Sequence, residues 1–306
     1  MFANKKRPGL RSRFMSAALK RKTVAHFSEG PIDFPLARKS MEVQNAGRKY
    51  SDCVSVESVD SGGVKGEWQV PKNAPHDTCI FYLHGGGYTV GSPVSHRAMT
   101  TGLAEMANTK VFSLDYRLSP ENKFPAPVDD ALNAYNWLLE NGLTADKIIL
   151  IGDSAGGGLA LALVHKLKAL GLALPRAMAL FSPWTDLTLS GDSIRKNQKS
   201  CVMLNDLVLE SCTAAYLGGE DPTNILASPL LGDFSDFPPL LIYASSTEAL
   251  LDDARRVAEK AKASGADVTL NIWNKQSHAW PIFYPFVPES KRVLLEVARF
   301  IERQFT

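Results

Sequence analysis

A serine in a glycine-flanked turn is the residue whose surroundings most clearly indicate chemistry. Residues 152–156 read Gly-Asp-Ser-Ala-Gly, directly after an apolar run at 148–151 and directly before a helical pattern over 157–170. Such a turn between a strand and a helix projects the serine hydroxyl beyond the carboxyl edge of a sheet, and glycines leave room for neighbouring backbone. The helix start adds aligned N–H groups beside the reacting oxygen. The pattern predicts that Ser154 is a nucleophile, rather than part of a turn that only packs a helix on a strand.

A second glycine-rich segment predicts where a developing negative charge would be held. Residues 84–87 read His-Gly-Gly-Gly and directly follow the apolar run 79–83. Consecutive glycines leave backbone N–H groups unshielded, so two such donors can converge on the oxyanion of an acyl-transfer intermediate. Alone, the triplet also fits a flexible loop or a phosphate cradle. Its combination with the serine turn predicts an oxyanion hole formed by the N–H groups of Gly86, Gly87 and Ala155.

A serine hydroxyl becomes a good nucleophile only when a base removes its proton, and a histidine oriented by a carboxylate does this. In a fold that places a serine on such a turn, the acid and then the histidine come after the serine along the chain. Of the six histidines, two follow Ser154. His165 lies too far along the helix after Ser154 to reach back. His278, in the loop 275–280 after the last predicted strand, is therefore the predicted base.

Three carboxylates compete for the role of the acid. They lie in the segment 245–253, which follows the apolar run 240–244. Glu248 falls in the loop at the end of that strand, where a side chain can turn toward His278. Asp252 and Asp253 fall in the first turn of the next helix, where acids commonly stabilise the helix dipole without any catalytic role. We therefore predict Glu248 as the acid, with the two aspartates as alternatives.

These motifs resemble the hormone-sensitive lipase family of α/β-hydrolases, which includes many bacterial carboxylesterases. The resemblance covers the chain from about residue 50 onward. It rests on His-Gly-Gly-Gly at 84–87, Asp-Tyr-Arg-Leu-Ser-Pro-Glu at 115–121, Gly-Asp-Ser-Ala-Gly-Gly at 152–157, Ser-Pro-Trp-Thr-Asp at 182–186, and His278. The family usually carries an aspartate in an Asp-Pro-Leu motif where this chain has Glu248-Ala249-Leu250; some members resemble this sequence in using glutamate.

The apolar pattern independently predicts a mostly parallel α/β sheet. Six short and nearly continuous apolar runs are typical of parallel strands covered on both faces. The runs are 79–83, 111–114, 148–151, 177–181, 240–244 and 268–273. A hairpin of 54–59 and 66–70 precedes them, and helical patterns occur at 10–27, 36–46, 128–140 and 250–264. The resemblance implies the α/β-hydrolase fold, which has a mostly parallel central sheet, helices on both faces and a helical cap.

Two irregular regions are predicted to form that cap. They are residues 1–48 and an insertion at 185–238 within a catalytic domain of 49–306; the second region is too long for an ordinary crossover and must carry structure of its own. The resemblance assigns both regions to a cap that limits substrate size. Candidate pocket walls, each of which fits ordinary core packing equally well, are Tyr88, Trp184, Val202, Leu204 and Phe283. Asp115 and Arg117 are predicted to hold loops in place, and the alternative is that they form a plain ion pair.

Composition excludes several classes of protein. The chain has 306 residues, of which 45% are hydrophobic, and a net charge of +2, which fits a large globular core and not a disordered chain. No apolar run approaches the roughly 18 residues that a membrane span needs, so integral membrane association is not expected. Four cysteines without a CxxC pair fit a reducing cytoplasm. The near-zero charge also argues against nucleic acid as a partner.

The charge is nevertheless unevenly distributed. Residues 1–22 contain eight basic residues and no acid, which leaves the rest of the chain at −6. The simplest interpretation is a cap helix with a solvated basic face.

Together these features predict a serine carboxylesterase that hydrolyses short- to medium-chain acyl esters through an acyl-enzyme, without a metal or organic cofactor. An amidase or peptidase with the same triad and a lipase for longer acyl chains are the alternatives. A non-catalytic receptor on the same scaffold would lack His278. The expected partner is a small-molecule ester, and the resemblance also implies a homodimer.

Overall fold

A twisted sheet with helices on both faces forms the body of the protein. The computed structural model describes residues 2–4, 7–27, 32–47 and 50–306, and within these residues the sheet has nine strands. The basic residues Lys5 and Lys6 and the predicted domain boundary at residue 48 lie outside the described residues. The strands are β1 (Phe2–Asn4), β2 (Val54–Ser61), β3 (Val64–Pro71), β4 (Cys79–Leu83), β5 (Lys110–Leu114), β6 (Ile148–Asp153), β7 (Ala177–Phe181), β8 (Leu240–Ser245) and β9 (Val268–Trp273).

The strand order is β1-β9-β8-β7-β6-β4-β5-β3-β2. β3 pairs antiparallel with both β2 and β5; all other neighbouring strands are parallel. The predicted α/β fold with a mostly parallel sheet is thus confirmed. The carboxyl ends of β4, β6, β8 and β9 reach one edge of the sheet, as the pairing of Leu83 with Gly152 shows. Loops that leave these strands therefore meet at that edge.

The helices connect the strands and cover the sheet. They are α1 (Leu10–Phe27), α2 (Phe34–Ala46), α3 (Pro93–Ala107), α4 (Ala126–Glu140), α5 (Ala155–Ala169), α6 (Asp192–Lys196), α7 (Asp206–Leu217), α8 (Leu251–Ala263) and α9 (Pro288–Phe305). No helix among the described residues has both the length and the apolar character that crossing a lipid bilayer requires.

Two hydrophobic cores lie on the two faces of the sheet. Phe81 and Leu83 of β4 point into the core that contains α4, α5 and α8. Ile80 and Tyr82 of the same strand point into the core that contains α3 and α9. Because side chains alternate between the faces of a strand, a strand covered on both sides must be apolar at nearly every position. This explains the continuous apolar runs of the sequence.

The two N-terminal helices pack near the carboxyl edge of the sheet through polar contacts. In α1, the Ser12 hydroxyl donates to Gln276 Oε1 at 2.7 Å and the Ser16 and Ser277 hydroxyl oxygens lie 3.0 Å apart. In α2, Arg38 donates to the carbonyl oxygen of Thr89 at 2.6 Å and also forms an ion pair with Glu121. Both helices are thereby attached to loops that surround the serine turn.

Candidate active site

Ser154 lies on a sharp turn between β6 and α5 that holds it in an unusual backbone conformation. Its φ is 51° and its ψ is −121°, a backbone conformation that residues other than glycine rarely adopt. The turn is tight: a Cβ added at Gly152 would lie 2.3 Å from the Gly156 carbonyl oxygen, and one added at Gly156 would lie 2.0 Å from the Leu83 carbonyl oxygen. Glycine is therefore required at both positions, and the serine hydroxyl is presented at the sheet edge.

A line of hydrogen bonds runs from this serine through a histidine to a carboxylate. His278 Nε2 lies 2.8 Å from Ser154 Oγ, and His278 Nδ1 lies 2.7 Å from Glu248 Oε2. The other carboxylate oxygen of Glu248 accepts a hydrogen bond from the Ser245 N–H at 2.7 Å. His278 and Glu248 are both buried. In such a buried arrangement, a proton can move from the hydroxyl to the imidazole, and the carboxylate stabilises the imidazolium that forms.

The two alternative acids have other partners. Asp252 accepts a hydrogen bond from the Ser193 N–H at 2.8 Å. Asp253 accepts hydrogen bonds from the N–H groups of Thr185 at 2.7 Å and Asp186 at 3.0 Å. Burial, together with the charge of Asp186, raises the pKa of Asp253 to about 7. Both aspartates therefore join α8 to the segment after β7, and only Glu248 of the three carboxylates contacts His278.

The glycine loop after β4 presents free backbone donors to the serine turn. Gly86 and Gly87 have φ values of +125° and +61°, which glycine adopts readily. The Gly85 N–H is already used, because it donates to Asp153 Oδ1 at 2.8 Å. By contrast, within the described residues the N–H groups of Gly86, Gly87 and Ala155 donate no hydrogen bond. These three donors are available to a substrate oxygen.

Asp153 is a site residue that the sequence reasoning missed. Its buried carboxylate accepts hydrogen bonds from the Gly85 N–H and the Tyr82 hydroxyl, and lies 3.5 Å from His96 Nε2. Burial alone would raise the pKa of Asp153, but His96 and these hydrogen bonds outweigh it and lower the pKa. The carboxylate thus joins the serine turn to the glycine loop. Its position directly before Ser154 was the one available signal in the sequence.

A cavity of about 270 Å³ opens beside Ser154 and His278. Its lining is mostly apolar and comes from several separate parts of the chain, which include Leu250 after β8 and Ile282 after His278. The N-terminal segment contributes Leu19, Ile32, Phe34, Ala37 and Met41. The region between β7 and β8 contributes Trp184, Met203, Leu204, Val208, Leu209 and Cys212. The glycine loop closes the remaining side, so a bound group would lie between the serine and apolar walls.

Known proteins with this architecture and these motifs identify the family. A family model described as alpha/beta hydrolase fold matches residues 80–282. The crystal structure of an esterase from the bacterial hormone-sensitive lipase family superposes with a TM-score of 0.92 at 36% identity and covers 98% of this chain and 100% of that one. The chain belongs to the hormone-sensitive lipase family of α/β-hydrolases.

Relatives of this hormone-sensitive lipase family member include proteins that are named as hydrolases. An acetyl-hydrolase of Streptomyces hygroscopicus is 41% identical over 254 residues, which cover 83% of each chain. An esterase of Acinetobacter venetianus is 35% identical over 248 residues, which cover 81% of this chain and 82% of the relative. The predicted family and the predicted enzyme class are confirmed: the protein is a carboxylic ester hydrolase.

The five candidate pocket residues of this esterase divide into two groups. Trp184 and Leu204 line the cavity, whereas Tyr88, Val202 and Phe283 do not. Tyr88 stacks on Tyr216 with ring centroids 3.8 Å apart, inside the core of α4 and α5. Phe283 lies in the core on the opposite face of the sheet. Tyr88 and Phe283 thus pack in the cores without lining the cavity, and the sequence pattern alone does not show which side of a loop faces the cavity.

Arg117 does not form the plain ion pair with Asp115 that was the alternative to a loop-holding role. Arg117 binds Asp130 of α4 instead, with Nη2 to Oδ1 at 2.7 Å and its backbone N–H donating to Oδ2 at 2.8 Å. Arg117 therefore does hold a loop, since it fixes the segment after β5 to the start of α4. Desolvation of its carboxylate, together with the nearby negative charge of Glu42, raises the pKa of Asp115.

Proposed function

We propose that this ester hydrolase cleaves short- to medium-chain acyl esters through an acyl-enzyme on Ser154. The observation that carries the proposal is the hydrogen-bonded line from Ser154 through His278 to Glu248. This line ends at an apolar cavity whose opposite wall presents the free N–H groups of Gly86 and Gly87. Nucleophile, base, orienting acid and oxyanion donors thus surround one place where an ester carbonyl can bind.

In the first half of the reaction, Ser154 Oγ attacks the carbonyl carbon and His278 Nε2 takes the hydroxyl proton. The carbonyl oxygen becomes an oxyanion and accepts hydrogen bonds from the N–H groups of Gly86, Gly87 and Ala155. His278 then gives its proton to the departing alcohol oxygen as the bond from carbon to that oxygen breaks. The product of this half-reaction is Ser154 esterified by the acyl group.

In the second half, His278 takes a proton from water, and the resulting hydroxide equivalent attacks the acyl carbonyl carbon. The second tetrahedral intermediate uses the same oxyanion donors, and the return of the proton to Ser154 Oγ releases the carboxylic acid. Glu248 accepts a hydrogen bond from His278 Nδ1 throughout, which fixes the imidazole tautomer and stabilises the imidazolium.

The enclosed apolar cavity supports a small acyl group. Its volume of about 270 Å³ is near the lower end of ligand pockets, which run from roughly 300 to 1,000 Å³. One relative is named an acetyl-hydrolase, in agreement with such a substrate. We further propose that residues 1–48 and 185–238 act as the cap that limits acyl length, because both regions contribute cavity walls.

Hydrolysis of p-nitrophenyl acetate by the Ser154→Ala variant tests the nucleophile. Removal of the hydroxyl leaves nothing to acylate, so turnover should fall to the background of the buffer. Ser61→Ala, in the exposed hairpin, is the matched control and should keep wild-type turnover. More than a trace of activity in Ser154→Ala would reject the assignment.

A series of p-nitrophenyl esters from acetate to palmitate tests the substrate class. We expect kcat/KM to be highest for a short or medium chain and to fall once the acyl group outgrows the cavity. A rise toward palmitate would favour a lipase. Comparison of one ester with the anilide of the same acid separates an esterase from an amidase, because only an amidase would cleave both at similar rates.

A further inference from the structure

We propose that the outward face of α1 binds the enzyme to an anionic phospholipid surface. The face consists of Leu10, Phe14 and Ala17 with the flanking basic residues Arg11, Arg13 and Lys20. This is a peripheral contact and does not require any segment to cross the bilayer. Because it concerns binding alone, it is independent of the hydrolytic function proposed above.

The first observation is that α1 packs inward through a mixed face and leaves two large apolar side chains exposed. Ser12 is 2% exposed and Ser16 is half-buried, and both make hydrogen bonds to the loop before His278. Met15 and Leu19 of the same face are half-buried against the core that contains α3 and α9. By contrast, Leu10 is 82% exposed and Phe14 is 68% exposed. These two side chains form an apolar stripe on the outer side of the helix, where a surface helix normally carries polar residues.

Helical geometry aligns the exposed residues. At 3.6 residues per turn, positions 10, 14 and 17 form one stripe along the helix. Arg13 and Lys20 border this stripe on one side and Arg11 borders it on the other, and all three are exposed. An apolar stripe between basic side chains is the pattern of helices that lie in the headgroup region of a membrane, where the apolar residues enter the acyl boundary and the cations meet lipid phosphates.

A cationic cleft lies beside this helix. Arg7, Arg13 and Lys275 line it, together with Pro8, Ser16 and Asn274. The cleft measures about 600 Å³, which is large enough for a phosphodiester headgroup. Arg7, Arg13 and Lys275 take part in no ion pair with a described acidic residue. Glu289 of α9 lies next to the start of α1, where it accepts a hydrogen bond from the Gly9 N–H at 2.6 Å.

The charge of this face favours an anionic lipid surface over a second copy of the chain. In a two-fold dimer the same face would meet itself, so three exposed cations would oppose three others. An anionic bilayer instead attracts each nearby Lys or Arg by about 1 kcal/mol while it also accepts the apolar stripe. Leu19 of the same helix lines the catalytic cavity, so docking would bring the cavity close to the lipid.

Co-sedimentation of the full chain with vesicles tests the proposal. We expect the enzyme to pellet with phosphatidylglycerol vesicles and to remain in the supernatant with phosphatidylcholine vesicles. Leu10→Ser/Phe14→Ser should weaken the binding at least tenfold, because two large side chains no longer leave water. Arg7→Gln/Arg13→Gln should weaken it as well and make it less sensitive to sodium chloride.

Matched variants on other surfaces provide the controls. Leu170→Ser/Leu172→Ser changes two exposed apolar residues elsewhere, and Lys262→Gln/Arg303→Gln removes two exposed charges at the far ends of α8 and α9. Both control variants should bind like the wild type, and all four should hydrolyse p-nitrophenyl acetate normally.

Three results would overturn the proposal. The first is no preference for anionic vesicles. The second is binding that the control variants weaken as much as the α1 variants do. The third is a dimer in sedimentation velocity that Leu10→Ser/Phe14→Ser dissociates, since the stripe would then be a contact between copies. Inorganic phosphate serves as the soluble probe: if millimolar phosphate binds the wild type and vesicles do not, the cleft holds a free anion instead of a headgroup.

Discussion

In the proposed mechanism Glu248 acts as the acid at the position where the family usually carries an aspartate. Its longer side chain spans from the end of β8 to His278 Nδ1 with one oxygen and returns to the Ser245 N–H with the other. Both contacts are made by a fully buried carboxylate, so the cost of removing the charge from water is offset by two charge-assisted hydrogen bonds.

Replacement of this acid should affect the chemical step far more than substrate binding. In Glu248→Gln the side chain keeps its size but loses the charge that stabilises the imidazolium, so kcat should fall by about 10⁴. Steady-state kinetics with p-nitrophenyl butyrate measure this, with Asp252→Asn as the matched loss of a nearby carboxylate. If Asp252→Asn lowers kcat by that amount and Glu248→Gln does not, the acid has been assigned to the wrong residue.

Asp253 should make the stability of the enzyme depend on pH. Burial raises its pKa from 3.8 to about 7 in the folded state. Between pH 4 and pH 7 the folded protein keeps a proton on Asp253 that the unfolded chain releases. The contribution of this residue to the free energy of unfolding is therefore fully present below about pH 4 and is lost as the pH rises to about 7. Asp253→Asn cannot titrate, yet its amide oxygen can still accept from Thr185 and Asp186.

Urea unfolding of the wild type and of Asp253→Asn at pH 5 and pH 8 checks this expectation. The variant should gain stability relative to the wild type by at least about 1 kcal/mol between these pH values, since a tenfold change in a protonation equilibrium corresponds to about 1.4 kcal/mol. A difference in unfolding free energy that is the same at both pH values would contradict it.

At the scale of elements, the serine turn depends on how closely β4, β6 and α5 approach one another. A methyl group at Gly156 would lie only 2.0 Å from the Leu83 carbonyl oxygen. The nearest atoms are all backbone atoms, which cannot move aside as the end of a flexible side chain could. Gly156→Ala should therefore displace the helix from the strand, lower the melting temperature by several degrees and reduce kcat. Circular dichroism melting and ester turnover measure the two effects.

Gly47→Ala is the matched control for that substitution. Gly47 follows α2, its φ is −92° and an added Cβ would contact nothing within 4 Å. This variant should melt at or slightly above the wild-type temperature, because alanine restricts the unfolded chain more than glycine does. Equal destabilisation by both variants would show that the tight approach at Gly156 is not what matters.

The strands were the most predictable elements. The bounds of β4 and β7 are those of the apolar runs, because every residue of these strands is buried and therefore apolar. The short strand β1 left no such pattern: it has three residues and is defined by its pairing with β9, more than 260 positions away. Pairing over such a distance cannot be deduced from a local pattern.

The candidate site shows the same division between local and distant information. Ser154, Gly86 and Gly87 sit in motifs, and His278 and Glu248 follow from strand ends, so the sequence could name them all. The structure brings Ser154, His278 and Glu248 to hydrogen-bonding distance. The link from Asp153 to Gly85 depends on how distant segments pack and did not appear in the sequence reasoning. The sequence placed α2 in the cap, but it could not name the residues of α2 that line the cavity.

At the scale of the whole molecule, one cavity is enclosed by segments that lie far apart in the chain. Phe34 and Met41 of α2 face the cavity across from the serine turn, whereas Leu36 and Val43 of the same helix are 62% and 71% exposed. Arg38 ties this helix to the glycine loop through Thr89, so its inner face is held in place. The helix therefore offers an inner and an outer pair of apolar residues for comparison.

Substitution of the inner pair should reduce the preference for longer acyl chains. Each methylene buried in an apolar wall contributes about 0.8 kcal/mol, or about fourfold in kcat/KM, so the two extra methylenes of butyrate add up to roughly fifteenfold over acetate. In Phe34→Ala/Met41→Ala this wall recedes, and the butyrate-to-acetate ratio should fall several-fold while kcat for acetate changes little. Leu36→Ala/Val43→Ala should leave the ratio at the wild-type value. If the outer pair changes the ratio as much as the inner pair, α2 acts on the enzyme through its overall stability and not as a wall of the cavity.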